Sequence, residues 1–106
     1  MNRKQMNEVF NFRKELESIE RCEKLVQNPE MYLAKKEKLN KAILNCEREI
    51  EMLPNSKLRA LFRMRYIECM TWQAIAQKFG GTNTAESCRK MVYRQFAYSE
   101  EREERK

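Results

Sequence analysis

The sequence predicts an all-α protein, in which a helical hairpin is followed by a three-helix domain. Only two Gly and two Pro occur among 106 residues, while 36% of the residues are charged. Apolar side chains recur at spacings of three and four, which is the period of one helix face. The breaks "NPE" at 28–30 and "MLPNS" at 52–56 divide this pattern into segments of helical length.

The first two segments predict two helices of similar length. The apolar stripe of the first, over 3–27, consists of Val9, Phe12, Leu16, Ile19 and Val26. Asn28 disfavours continuation because it precedes Pro29, which suits the first turn of a second helix. That helix runs from about 30 to 52, and its seam consists of Leu39, Ile43, Cys46, Ile50 and Leu53. We expect an antiparallel hairpin. The alternative is one continuous helix in an intermolecular coiled coil, kinked at Pro29.

Three shorter helices follow. Asn55 or Ser56 can cap a third helix over about 56–68. Thr71 caps a fourth helix, which Gly80 and Gly81 end, and we expect one of these glycines in the left-handed conformation.

The fifth helix starts after Thr84 and continues through Tyr98. Its core stripe consists of Cys88, Met91, Val92 and Phe96. We expect the tail, 100–106, to be solvated and frayed. The predicted organisation is therefore a hairpin (1–53), a helical domain (54–99) and a charged tail.

Composition argues against several classes of protein. The chain has no His, and its four Cys form no C-x-x-C pair, so we expect no metal site and buried thiols in a reducing cytoplasm. No nucleophile–base pair or Gly-rich phosphate loop occurs, so we expect neither an enzyme nor a cofactor. No apolar run is long enough to span a bilayer, and the polar N-terminus lacks a signal core. We therefore expect no membrane partner and a cytoplasmic location.

The positive charge is concentrated in one segment. Residues 1–53 carry 11 Lys and Arg against 10 Glu, whereas 54–99 carry 8 Lys and Arg against 2 Glu. The tail carries 3 basic and 4 acidic residues. A localised basic surface is typical of proteins that bind polyanions, although solvated helix faces with an excess of Arg would give the same count.

The same segment carries a resemblance. The stretch "LRALFRMRYIECMTWQAIAQKFG…ESCRKMVYRQF", over about 57–96, resembles the fourth domain of bacterial sigma factors, which is a helix-turn-helix domain. In such a motif Ala76 would let the next helix cross closely, and Gly80 would permit the turn. The charged helices before it resemble those of phage and prophage transcription regulators of the RinA and ArpU type. The resemblance implies that the fifth helix binds the major groove of double-stranded DNA.

The resemblance also implies the candidate DNA-contacting residues. Those that would contact base edges are Ala85, Glu86, Arg89, Lys90 and Arg94. Those that would contact phosphate are Arg59, Arg63, Arg65, Thr71, Gln73, Lys78, Thr82, Asn83, Thr84 and Ser87. Arginine donates twice to guanine, and Glu accepts from cytosine. The alternatives are structural: Arg89 pairs with Glu86 one turn earlier, and Arg63 and Arg65 are surface residues.

Two features depart from the sigma-factor pattern. Eight residues lie between Phe79 and Cys88, so the turn is longer, and we expect it to shift the fifth helix or to contact the DNA backbone through Thr82 and Asn83. Cys69 stands where the family often has Gly, so the backbone there need not have a positive φ.

The sequence thus predicts a DNA-binding transcription regulator of phage or prophage type in a bacterial cell, acting with host RNA polymerase. The hairpin would form a homodimer or contact the polymerase. One alternative is a small terminase-like DNA-packaging subunit. Another is a module that binds polymerase or another protein without binding DNA.

Overall fold

The computed structural model describes residues 2–21 and 29–104, with side chains described through Glu100. Its regular elements are α1 (Arg3–Arg21), α2 (Pro29–Glu51), α3 (Ser56–Phe62), a π-helical turn (Arg63–Ile67), α4 (Trp72–Phe79) and α5 (Ala85–Glu104). No strand occurs in these residues, which confirms the all-α class for the described chain. The predicted end of the first helix over 22–27 and the predicted break at Asn28 lie outside the described residues.

Helices α1 and α2 lie antiparallel. The Cys46 thiol is 3.8 Å from the carbonyl oxygen of Gln5, near the start of α1. The Tyr32 hydroxyl donates to the Glu20 carboxylate at 2.9 Å, near the end of α1. Residue numbers along α2 therefore decrease in the direction in which those along α1 increase. The two apolar stripes face each other, and Met6, Val9, Cys46 and Ile50 are almost fully buried between them.

The apolar core is continuous through the molecule. Its buried members are Met6, Val9, Ala42, Cys46, Ile50, Leu53, Leu61, Phe62, Tyr66, Ile75, Ala76, Cys88, Val92 and Phe96. The Tyr66 ring lies 5.8 Å from Phe10, 5.7 Å from Phe62 and 5.8 Å from Phe96, measured between centroids. These rings join α1, α3 with its π turn, and α5, so α1 packs directly against the C-terminal helices.

The third helix widens at its end. It extends about as far as predicted, but the Glu68 amide donates to the Arg63 carbonyl at 3.0 Å, which is the i to i+5 pattern of a π-helix. Two guanidinium groups bind carbonyls around this end: Arg13 donates to Ile67 at 2.7 Å and Arg65 to Met70 at 2.9 Å. The free carbonyls at the end of a helix carry partial negative charge and attract cations, so these contacts stabilise the wide turn.

Cys69 adopts a left-handed backbone, with φ of 57°. Cys at this position was not expected to require a positive φ, and the structure nevertheless has one. The chain reverses here between the π turn and Thr71, and a left-handed residue produces the reversal that Gly would otherwise supply. A residue with a Cβ costs about 1–2 kcal/mol in this conformation.

The helix caps follow the sequence closely. The Asn55 side chain accepts from the Lys57 amide at 2.8 Å, and the Thr71 hydroxyl accepts from the Ala74 amide at 3.2 Å. The predicted end of the last helix was too early, since α5 continues through Glu104 and does not end at Tyr98. Glu and Arg favour helices and no Gly or Pro interrupts this stretch, so nothing in it ends the helix.

The left-handed Cys69 predicts that Cys69→Gly is more stable than Cys69→Ala. Both variants lose the sulfur, but Gly also relieves about 1–2 kcal/mol of backbone strain and returns about 0.5–1 kcal/mol as unfolded-chain entropy. We expect a difference of up to about 1 kcal/mol in the free energy of unfolding, measured by urea denaturation. Cys69→Val should be the least stable of the three, because branching at Cβ suits a positive φ least. A Gly variant less stable than the Ala variant would contradict the strained backbone.

Candidate functional site

Helix α5 has one buried and one exposed face. Cys88, Val92 and Phe96 are fully buried against the core. The opposite side, which we call the α5 face, consists of Glu86, Arg89, Lys90, Tyr93 and Arg94, all exposed. The separation follows from the helical period, because the buried residues recur at spacings of four. Four of the five residues predicted to contact base edges thus share one surface, and the fifth, Ala85, is half-buried and precedes the buried Val92 by two helical turns.

A carboxylate lies within the positive charge of this face. Glu86 Oε1 is 3.8 Å from Arg89 Nη2 and 3.6 Å from Lys90 Nζ. The three side chains are 45–65% exposed. Exposed pairs of this kind contribute about 0–1 kcal/mol, so a ligand can replace them at little cost. The pairing that the structural alternative predicted for Arg89 is therefore present, and it leaves the cation available.

Tyr93 is a residue of this face that the sequence prediction omitted. Its ring packs edge-on against Trp72 at 6.4 Å, and the guanidinium carbon of Arg3 lies 4.5 Å from its centroid. The guanidinium of Arg89 lies 5.7 Å from the same ring. The helical period identifies Tyr93, because it follows Arg89 by one turn. The Arg3 contact joins the two ends of the chain, and no local pattern indicates it.

The hydroxyls at the start of α5 serve the helix itself. Thr84 Oγ1 accepts from the Ser87 amide at 3.1 Å, and Ser87 Oγ accepts from the Thr84 amide at 2.9 Å. This reciprocal arrangement satisfies two amides that the helix start leaves free. Two of the four hydroxyls predicted to contact phosphate, those of Thr84 and Ser87, therefore already hold the cap.

The turn before α5 depends on its two glycines. Gly80 has φ 67° and ψ −164°, and Gly81 has φ 62°. One positive φ was expected here, and the structure has two. The Gly80 conformation is essentially restricted to Gly, whereas no other atom lies within 4 Å of a Cβ added at either position. Backbone conformation, and not lack of space, therefore determines the residue type.

Asn83 ties the turn to the start of α3. Its side-chain amide donates to the Gly80 carbonyl at 2.9 Å, and its Oδ1 accepts from Lys57 Nζ at 3.1 Å. Lys57 Nζ also lies 5.7 Å from the Phe79 ring centroid. The side chain of Asn83 is thus engaged within the protein, while Thr82 is exposed. Lys57 is a second residue that the sequence prediction omitted, although the basic segment contains it.

The three arginines of the third helix that were predicted to contact phosphate all form hydrogen bonds or ion pairs within the protein. Arg59 donates to the Leu53 carbonyl at 2.6 Å, and Arg65 donates to Met70 and stacks 4.5 Å from the Trp72 ring. Arg63 lies 3.6 Å from both Glu47 and Glu51 of α2. The other predicted phosphate contacts, Thr71, Gln73 and Lys78, are exposed, and the Thr71 hydroxyl caps α4.

The thiols lie away from the α5 face. Cys46 and Cys88 are fully buried, as expected for core residues, while Cys22 lies outside the described residues. Burial, with a smaller effect of Glu8, raises the pKa of Cys46 to about 11, and burial raises that of Tyr66 to about 12. No group of three or more His, Cys, Asp or Glu in the described chain is arranged to hold a metal ion.

Comparison with known proteins identifies no relative of this chain. No family model matches it, and neither a curated protein nor a solved structure matches it. Among the described residues, no helix combines the length and apolar character needed to cross a bilayer.

The Gly80 backbone predicts a loss of stability in Gly80→Ala. We expect the free energy of unfolding to fall by about 1–3 kcal/mol, because Ala disfavours this conformation. Thermal or urea denaturation measures the loss. Gln77→Ala, at an exposed position of α4, is the control and should stay within about 0.5 kcal/mol of wild type. Equal stabilities of the Gly80 and Gln77 variants would contradict the requirement for Gly.

The raised pKa of Cys46 predicts that stability falls at alkaline pH. The unfolded thiol ionises near its ordinary value of 9.0 and the folded one at about 11. The stabilisation is therefore complete below pH 9 and is lost as pH rises to 11. We expect wild type to lose more free energy of unfolding over this range than Cys46→Ala, in urea titrations at each pH. Parallel losses would contradict the shift, because lysine and tyrosine titration is common to both proteins.

Proposed function

We propose that this chain binds double-stranded DNA by inserting the α5 face into the major groove. The observation that supports it is the exposed face of α5, with Arg89, Lys90 and Arg94 beside Glu86, on a helix whose opposite side is buried. A helix fits the major groove of B-form DNA, and one packed on a rigid core presents its side chains in a fixed arrangement.

The chemistry of the face suits base edges as well as phosphates. Arg89 can donate two hydrogen bonds to guanine O6 and N7, and Glu86 can accept one from the cytosine amino group. Lys90 and Arg94 supply positive charge for the backbone. The Glu86 ion pairs must open for these contacts, and their exposure makes that opening cost little.

In this proposal α4, the glycine turn and α5 form a helix-turn-helix, with α3 as its third helix, and α1 and α2 form a hairpin that supports it. The resemblance to sigma-factor domains then favours sequence-specific transcription regulation of phage or prophage type in the bacterial cytoplasm. The regulator would act beside host RNA polymerase. A dimer would let this small domain bind two half-sites.

Binding to a random DNA duplex across a salt series tests the proposal. With about four phosphates neutralised, as by Lys57, Arg89, Lys90 and Arg94, the slope of log K against log salt is about −3.6. Affinity should then fall about 100-fold between about 50 and 200 mM salt. Absence of duplex binding at about 50 mM salt, by fluorescence anisotropy, would overturn the proposal.

A selected DNA site then separates base contact from charge. Arg89→Ala should lose about 1–3 kcal/mol of preference for that site, while its affinity for random duplex falls only by the loss of one cation. Arg63→Ala is the matched control, because it also removes an arginine side chain, here one that pairs with Glu47 and Glu51 away from the α5 face. This variant should keep the site preference of wild type. An equal loss at the selected and random sequences would argue against base contact by Arg89.

A further inference from the structure

Helix α2 carries two exposed leucines on its outer side. Leu33 is 61% exposed and Leu44 is 53% exposed. Leu44 follows Leu33 by eleven positions, which is close to three helical turns, so the two side chains point in nearly the same direction roughly 16 Å apart. The side that meets α1 carries the buried Ala42, Cys46 and Ile50 instead. The two leucines therefore belong to a second face, which we call the outer α2 face.

Charges border this face on one flank. Glu37 and Lys41 lie 3.8 Å apart between the two leucines, with side chains 71% and 74% exposed. Glu30 and Arg48, also exposed, lie on the same flank near the ends of the helix. Along α2 the flank thus carries acid, acid, base, base. When a second α2 helix runs in the opposite direction, each acid of this flank lies beside a base of the second helix.

We propose that the outer α2 face binds a second copy of this chain, with the two α2 helices antiparallel about a two-fold axis. When Leu33 lies opposite Leu44 of the second copy, Glu37 comes beside Lys41 and Glu30 beside Arg48 of that copy. A two-fold axis makes every such contact occur twice. Flanking pairs between opposite charges set the partner and the orientation of paired helices in this way.

The competing parallel arrangement would break a contact between α2 and the π-helical turn, whereas the antiparallel one only rearranges the exposed Glu37–Lys41 pair within α2. A parallel pair would bring Arg48 beside Glu47 of the other copy, but Glu47 is held by Arg63 at 3.6 Å. The antiparallel pair leaves that contact intact. Only about three helical turns meet, so the interface belongs to the small, weak class below about 1,200 Å². DNA that held two copies side by side would strengthen it, but the pairing itself requires nothing of the α5 face.

Sedimentation equilibrium of the full chain tests the pairing. We expect wild type to approach twice the monomer mass as concentration rises toward about 1 mM. Leu44→Glu should weaken association about tenfold or more, because a charge replaces an apolar contact. Asn11→Glu adds the same charge at an exposed position of α1, away from the outer α2 face, and should associate like wild type. A monomeric wild type at about 1 mM would overturn the proposal and leave this face for a different partner. Association of Leu44→Glu equal to that of wild type would overturn it as well.

Mixing two charge variants tests the antiparallel register. Lys41→Glu carries two acids between its leucines, and Glu37→Lys carries two bases, so like charges meet across the pair and each variant should associate about tenfold more weakly alone. The mixture should recover association, because each acid then lies beside a base of the other copy. Helix stability within each chain does not change on mixing, so recovery separates pairing from folding. Failure of the mixture to recover would overturn the antiparallel arrangement.

Discussion

The position of α5 depends on the contact between Phe62, Tyr66 and Phe96. Phe96 lies on α5, and its ring centroid is 5.3 Å from Phe62 and 5.8 Å from Tyr66. Offset or edge-on rings contribute about 0.5–1.5 kcal/mol per pair beyond their burial, and they restrict the angle between the elements that carry them. The Phe10 ring extends the cluster to α1. Because the buried side of α5 is held by rings from α3 and its π-helical turn, the direction of its exposed side follows from the core.

The placement of α4 depends on the two ends of the helix. An isolated helix of 8 residues is unstable in water, so α4 exists through its caps and through burial of Ile75 and Ala76. A positive φ precedes it at Cys69 and follows it at Gly80. The chain changes direction at both positions. Cys69 has a strained backbone there, whereas Gly80 adopts its positive φ without strain because it has no Cβ. The packing of α4 against α5 is therefore determined by backbone geometry at its two ends together with the core.

Local sequence signals account for much of the structure. Helical periods and cap residues predicted the helices, the Thr71 and Asn55 caps and the buried side of α5, because these depend on neighbours within a few residues. The π turn and the left-handed Cys69 have no such signal, since they follow from how α3 meets α1 and α4. For the site, the same period placed Glu86 and Arg89 on one face. It did not reveal the Arg3–Tyr93 contact, which joins residues distant in the chain.

The distribution of charge shows why counting residues overstated the basic surface. Eight Lys and Arg lie in 54–99, and their excess over Glu predicted a site for a polyanion. In the structure the three arginines from the third helix and its π turn bind carbonyls of the protein or carboxylates of α2. Their positive charge stabilises helix ends and joins the two halves of the chain. The other five cations are Lys57, which donates to Asn83, Arg89 and Lys90, which pair with Glu86, and Lys78 and Arg94. Arg63 is matched by two carboxylates, whereas the three cations of α5 are matched by the one carboxylate of Glu86. The net positive charge is therefore concentrated on α5, which is the surface the proposed DNA contact requires.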